Sequence, residues 1–154
     1  MSEEQVTRAI LKWLMERGWT ILDYDFPGGG TGRKFHVGDI ADSKTKGIVT
    51  PDIIAIRDKT IIVFENKAVD TLSDYDKVAR LREDKEFLGL LRNAYPDEYV
   101  ECVTWGIGYS GAAKHREQAG LCGLDIVVCV KESPDDGNAS CSIVYCNPDF
   151  RWEN

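Results

Sequence analysis

The residues best suited to chemistry are two carboxylates and a lysine at the ends of two apolar segments. Asp52 begins the segment 52–57, and Glu65 and Lys67 lie at the end of the segment 60–67. A charge without a partner is expensive to place beside apolar side chains, so these three residues need compensation or a function. Carboxylates of this kind can hold a divalent cation beside a phosphate, and an ammonium can stabilise the charge that develops there.

The two apolar segments are predicted to pair as a hairpin. Both are rich in Ile and Val with hardly a polar break, as is typical of strands covered on both faces. If Asp58 and Lys59 form the turn, Asp52 lies directly opposite Glu65, with Cβ atoms roughly 4.5–5.5 Å apart. Lys67 lies two residues after Glu65 and leaves the strand on the same face. The hairpin therefore predicts one patch of two carboxylates and an ammonium.

This patch predicts a magnesium site. Two like charges so close together are unfavourable unless something neutralises them. Mg²⁺ is commonly held by one or two carboxylates, with waters and phosphate oxygens as its other ligands. We expect Asp52 and Glu65 to be ligands, the backbone carbonyl of Asn66 to be a further one, and Lys67 to act on the attacking water or on the charged phosphoryl group. The alternative is structural: Asp52 is a turn residue, and Glu65 and Lys67 form a surface ion pair.

The order of predicted elements places this hairpin inside an α/β fold. The pattern α-β-β-β-α-β-α-β-β implies a mixed sheet flanked by helices, in a single domain that spans residues 1–154. Ser2 and Gln5 predict a capping box at the start of the first helix. A glycine-rich stretch, 26–50, is predicted to be mostly irregular, and either functional or mobile. The helices are predicted at 2–18, 74–95 and 112–119, and the strands at 19–24, 52–57, 60–67, 99–107, 124–130 and 141–146.

Composition limits the classes of function. The net charge of −7 disfavours a general nucleic-acid coat protein but leaves room for a local basic cleft. No apolar run approaches the roughly 20 residues that span a bilayer, and no secretory signal is visible, so we expect no membrane association. The five cysteines are odd in number and lack a CxxC pair, which predicts buried, reduced thiols in a cytoplasmic protein and no zinc site.

The same residues resemble a known signature. Pro51-Asp52, a gap of twelve residues and Glu65-x-Lys67 are similar to the motif of the PD-(D/E)xK nuclease superfamily, which includes type II restriction endonucleases and archaeal Holliday-junction resolvases. The resemblance implies a restriction-endonuclease-like fold in which Asp52 and Glu65 bind the metal and Lys67 assists the nucleophile. Many members add a glutamate from the first helix as a ligand; Glu4 is the candidate here, with Glu3 close behind.

Basic residues near the motif are candidates for DNA contact. Most of them gather in the glycine-rich segment before Asp52, and one lies on the helix after Lys67. Such side chains can follow the phosphates of DNA beside a metal site. The alternative is a solvated loop and helix face whose cations balance an acidic chain. The candidates are Arg33, Lys34, His36, Lys44, Lys46 and Lys77.

The resemblance favours a Mg²⁺-dependent DNA endonuclease, with Mn²⁺ as a substitute, of the type II restriction kind. It implies phosphodiester hydrolysis that leaves 5′-phosphate and 3′-hydroxyl ends. Cutting both strands of a duplex requires two sites, so a homodimer is expected, and a methyltransferase or larger subunit could accompany it. The alternatives are a structure-specific nuclease, such as a junction resolvase or repair enzyme, and a DNA-binding subunit of the same fold that cuts nothing.

Overall fold

The computed structural model describes residues 1–27, 29–37 and 47–152. This part of the chain forms four helices and nine strands. The helices are α1 (Glu3–Glu16), α2 (Leu72–Glu83), α3 (Lys85–Asn93) and α4 (Arg116–Leu121). The strands are β1 (Thr20–Phe26), β2 (Gly29–Gly30), β3 (Phe35–His36), β4 (Ile48–Val49), β5 (Ile53–Arg57), β6 (Thr60–Asn66), β7 (Cys102–Ser110), β8 (Ile126–Glu132) and β9 (Ala139–Cys146).

Within the described residues, seven strands form one mixed sheet in the order β2-β1-β5-β6-β7-β8-β9. β6, β7 and β8 run parallel to one another, and the other neighbours are antiparallel. β3 and β4 form a separate two-stranded ribbon. The predicted fold class, a mixed sheet flanked by helices, is confirmed.

The order of elements differs from the prediction in two places. The helix predicted over 74–95 is two helices, because Asp84 adopts an extended backbone (φ −82°, ψ 107°) and its side chain accepts a hydrogen bond from the N–H of Phe87 at 2.8 Å. This cap ends α2 and begins α3. In addition, β2, β3 and β4 fall in the stretch predicted to be irregular. The capping box of α1, formed by Ser2 and Gln5, is present as predicted.

Helices cover both faces of the sheet. α2, α3 and α4 contribute to a hydrophobic cluster on one face, and α1 contributes to a second cluster on the other. Successive residues of β5 alternate between them, since Ile54 belongs to the first cluster and Ile53 to the second. The continuous apolar character of β5 and β6 follows from this double cover.

Trp152, near the end of the chain, packs into the hydrophobic cluster on the α1 side of the sheet. Its ring stacks on Trp13, with ring centroids 4.5 Å apart, and on Trp19, at 5.7 Å. The guanidinium of Arg57 lies 4.6 Å from the centroid of Trp19, and an Nη2–H of Arg57 donates a hydrogen bond to the carbonyl of Trp152. All three indole rings are buried, so the C-terminal segment is part of the core.

Two further features concern the helices and the cysteines. In the described ranges no helix is both long enough and apolar enough to cross a membrane. All five cysteines lie within these ranges and are free. The expectation that they are buried is wrong for most of them: Cys129 is buried, Cys102 is exposed, and the other three are partly buried.

Candidate active site

The β5–β6 hairpin has the predicted register. Its paired residues run from Arg57 with Thr60 to Ile53 with Phe64. The turn residues Asp58 and Lys59 have φ values of 49° and 66°, the left-handed conformation of a tight two-residue hairpin turn. Asp52 immediately precedes Ile53 and Glu65 immediately follows Phe64, so the two carboxylates come together where β5 begins and β6 ends.

Both carboxylates are withdrawn from water. Asp52 is 9% exposed and Glu65 is 3% exposed. The backbone N–H of Asn66 donates to Oδ2 of Asp52 at 2.7 Å, which fixes this carboxyl against the end of β6. Burial, followed by the neighbouring charge of Glu65, raises the pKa of Asp52 well above its ordinary value. The site therefore concentrates negative charge that costs free energy to keep ionised.

Helix α2 adds two charged residues to this pair. Nζ of Lys77 lies 3.2 Å from Oε2 of Glu65. Burial disfavours the ammonium, but the charge of Glu65 and the hydrogen bond to it raise the pKa of Lys77. Burial also raises the pKa of Asp74 to about 6, although the charge of Lys67 acts in the opposite direction. Sequence reasoning missed Asp74 as a site residue and assigned Lys77 only to DNA contact; their spacing of three residues, which places both on one helix face, was the available signal.

Lys67 is linked to these charged residues by an ion pair with Glu3, the first residue of α1. Its Nζ lies 3.7 Å from Oε2 of Glu3, and the charge of Glu3 contributes to the raised pKa values of both Asp52 and Asp74. Glu4 was the preferred helix candidate, and its role as a metal ligand stays a prediction. Glu4 accepts a hydrogen bond from Arg8, one turn along α1, with Nε and Oε1 3.0 Å apart. One residue rotates the side chain by about 100° around the helix, so Glu3 and Glu4 point in different directions.

Asn66 connects the hairpin to α1. Its side-chain amide donates to Oγ1 of Thr7 at 3.2 Å, and the residue is completely buried. Gly108 of β7 allows this approach, because a Cβ there would lie 2.0 Å from Cδ1 of Ile10 and 2.4 Å from Oδ1 of Asn66. The side chain of Asn66 thus fixes α1, and with it Glu3, near the carboxylates. That the Asn66 carbonyl is a metal ligand stays a prediction.

The donor set fits a hard divalent cation. Oε1 of Glu65 is buried and has no hydrogen-bond donor among the residues that the structure describes, and the same is true of Oδ2 of Asp74. Within those residues, however, no three His, Cys, Asp or Glu side chains are arranged to hold a metal ion by themselves. A magnesium ion here would take one or two carboxylates and complete its shell with water and phosphate oxygens, which is its usual mode of binding.

Arg33 was predicted to contact DNA, but its guanidinium is engaged within the protein. Its Nε lies 2.7 Å from Oδ2 of Asp23, and the guanidinium lies 4.9 Å from the ring centroid of Tyr95. The hydroxyl of Tyr95 donates to the same Asp23 oxygen. Burial disfavours the Asp23 carboxylate, but these hydrogen bonds lower the pKa of Asp23 overall. Arg33 therefore links the residues just after β2 to β1 and to the residues that follow α3.

The other predicted DNA contacts have different outcomes. Lys34 and His36 are exposed, and neither side chain has an ion pair or hydrogen bond with another described residue. The ammonium of Lys77 is paired with Glu65, in the group of carboxylates. Lys44 and Lys46 lie outside the described residues. The structure thus brings Asp52, Glu65, Lys67 and Lys77 together, whereas Glu4 pairs with Arg8 and Arg33 pairs with Asp23.

No family model matches the chain, and no curated protein is significantly similar to it.

Proposed function

We propose that this protein is a Mg²⁺-dependent DNA endonuclease with a PD-(D/E)xK-type site, of the type II restriction kind. The observation that carries the proposal is Glu65, a 3% exposed carboxylate with one oxygen that lacks a donor among the described residues. It lies beside Asp52 at the end of the central hairpin, with Lys67 and Lys77 in the same group. The ion pair with Lys77 engages Oε2 of Glu65, and a cation would provide the partner that Oε1 lacks among the described residues.

Each residue has a distinct role in this proposal. Oδ2 of Asp52 is occupied by the N–H of Asn66, which leaves Oδ1 for the cation together with Oε1 of Glu65. When bound, Mg²⁺ supplies polarisation of the phosphoryl group and lowers the pKa of a water molecule. The ammonium groups of Lys67 and Lys77 donate hydrogen bonds to phosphate oxygens and stabilise the negative charge that develops there.

The order and direction of the strands support a restriction-endonuclease-like fold. A central antiparallel hairpin is followed by two parallel strands, with helices on both faces, and the motif residues lie where the hairpin strands begin and end. We propose that this is a restriction-endonuclease-like fold and that two copies act together, because two sites are needed to cut both strands of a duplex. A companion methyltransferase or larger subunit is compatible with this proposal.

The test is cleavage of unmethylated phage DNA by the purified protein with Mg²⁺, beside an EDTA sample and the Lys67→Ala variant. We expect discrete fragments with Mg²⁺, none in EDTA, and a large loss of cleavage in the variant. The matched control is Arg80→Ala, which removes an exposed cation from α2. Cleavage confined to four-way junctions or flaps would replace the restriction assignment with a structure-specific one. DNA binding without any cleavage would overturn the enzyme proposal and favour a non-catalytic subunit.

A further inference from the structure

A buried carboxylate ties a second basic segment to the candidate active site. Asp70 lies three residues after Lys67 and is 4% exposed. Its Oδ2 accepts hydrogen bonds from two consecutive backbone N–H groups, those of Lys114 at 2.6 Å and His115 at 2.8 Å. Hydrogen bonds to a carboxylate are stronger than neutral ones, so Asp70 holds this segment firmly.

Further contacts fasten the same two parts of the chain. The N–H of Lys67 donates to the carbonyl of Gly108 at 2.9 Å, and Oγ of Ser110 donates to the carbonyl of Ala68 at 2.8 Å. The half-buried ring of His115 packs edge-on against Tyr75, with centroids 6.1 Å apart. The segment after β7 is therefore positioned relative to Lys67 and is not an independent loop.

The topology places this segment at the edge of the sheet that carries the carboxylates. β6 and β7 are parallel neighbours, so their carboxyl ends lie side by side at about 4.8 Å, the usual spacing between strands. Lys114 and Arg116 are exposed, and neither forms an ion pair with another residue of the described ranges. Two exposed cations thus belong to the segment that Asp70 ties to the end of β6, in a chain whose net charge is −7.

We propose that Lys114 and Arg116 bind nucleic-acid phosphates adjacent to the phosphodiester at the Asp52–Glu65 site. This inference rests on the proposed nuclease function and deepens it by assigning the path of the substrate across the ends of β6 and β7. An acidic protein repels DNA at long range, so unpaired cations at the mouth of the site provide local attraction. The backbone of Lys114 is fixed by Asp70, which reduces the entropy lost when its side chain binds.

The experiment measures binding of a fluorescein-labelled DNA duplex by anisotropy over a range of salt concentrations, with Ca²⁺ in place of Mg²⁺. In the double variant Lys114→Ala/Arg116→Ala, two phosphate contacts are removed. The slope of log K against log salt should become shallower by about 0.9 for each contact, and the affinity should fall for every DNA sequence tested. Cleavage in Mg²⁺ should weaken in parallel at low DNA concentration.

The matched control is Lys59→Ala/Arg92→Ala, which removes the same charge. Lys59 lies in the turn between β5 and β6, at the opposite end of these strands from the carboxylates. Arg92 lies near the same end, because burial raises the pKa of Cys102, the first residue of β7, and the nearby charge of Arg92 opposes this rise. A salt slope of the Lys114→Ala/Arg116→Ala variant equal to that of this control overturns the inference while leaving cleavage by the unmodified protein intact. Failure of the unmodified protein to bind or cut DNA overturns the proposed function and this inference together.

Discussion

The backbone N–H of Asn66 donates a hydrogen bond to Oδ2 of Asp52 over 2.7 Å. This buried bond joins Asp52 to the residue that lies between Glu65 and Lys67. It holds one oxygen of Asp52 against the end of β6. The Asp52 carboxylate is consequently preorganised, which is what a binding site needs if affinity is not to be lost in ordering its own side chains.

Replacing Asp52 by Asn should stabilise the protein in EDTA at high pH. The raised pKa of Asp52 means that the native state binds more protons than the unfolded state between the ordinary and the raised pKa. The contribution of Asp52 to the free energy of unfolding is therefore most favourable below the ordinary pKa of an aspartate, and it decreases as the pH rises through this window. Asparagine keeps an acceptor for Asn66 and removes the repulsion with Glu65, so we expect a gain of about 1 kcal/mol at pH 8 and a smaller one at pH 5.

Thermal unfolding in EDTA at both pH values measures this effect. The matched control is Asp76→Asn, which removes an exposed carboxylate from α2 and should show little change. An unchanged or lower melting temperature of Asp52→Asn at pH 8 would show that the two carboxylates do not repel each other.

Replacing Lys77 by Ala should destabilise the metal-free protein and make it more responsive to Mg²⁺. The change leaves the buried charge of Glu65 without its closest cation. Loss of one partner of a buried pair is costly, but Lys77 is partly exposed, so we expect about 1–2 kcal/mol in EDTA. Addition of Mg²⁺ should then raise the melting temperature of this variant more than that of the unmodified protein.

Arg80→Ala is the control on the same helix, since Arg80 is exposed and has no ion pair with another residue in the described ranges. Identical behaviour of the Lys77 and Arg80 variants with and without Mg²⁺ would exclude the contact between Lys77 and Glu65.

Replacing Asp23 by Asn should remove stability that is present at neutral pH and absent in acid. The lowered pKa of Asp23 means that its ionised form is favoured in the native state through Tyr95 and Arg33. This contribution is present above the ordinary pKa of an aspartate and is lost as the pH falls through the lowered value. We expect the variant to be about 1 kcal/mol less stable at pH 7, with a difference that shrinks below about pH 4. Urea unfolding at several pH values measures it, and a difference independent of pH would contradict the assignment.

Replacing Trp152 by Ala should weaken the core from the C-terminal side. The ring stacks on Trp13 and Trp19 and is 4% exposed, so its loss leaves an unfilled space over α1. We expect a loss of about 3 kcal/mol or more in the free energy of unfolding. Tyr99→Ala is a suitable control because Tyr99 is 68% exposed. Equal midpoints in urea for the two variants would mean that the C-terminal segment does not contribute to the core.

The sequence was most informative where local rules decide the structure. The register of β5 and β6 follows from a two-residue turn and from a side-chain period of two, so the adjacency of Asp52 and Glu65 could be predicted from spacing alone. The first helix was located by its capping box. In both cases the interacting residues are close in the sequence or related by symmetry about a turn.

The parts that could not be predicted depend on tertiary packing. Whether Glu3 or Glu4 faces the carboxylates is decided by the rotation of α1, which is set by the contact of Thr7 with Asn66, 59 positions away. Likewise, the position of α2 over the end of β6 decides that Lys77 meets Glu65. Arg33 has the charge expected of a residue that contacts DNA, but its buried partner Asp23 becomes its neighbour only in the folded chain.

The most direct test of the proposed cation site compares two substitutions of the same kind, Glu65→Gln and Glu4→Gln, in Mg²⁺-dependent cleavage of duplex DNA. Glu65 has the free, buried oxygen of the candidate cation site, whereas Glu4 pairs with Arg8. We predict that Glu65→Gln lowers the cleavage rate by more than about 100-fold, since even residues that only support a metal ligand cost 10–100-fold when changed. Glu4→Gln should cut within about twofold of the unmodified rate. Cleavage by Glu65→Gln at the rate of Glu4→Gln would show that Glu65 does not bind the catalytic cation.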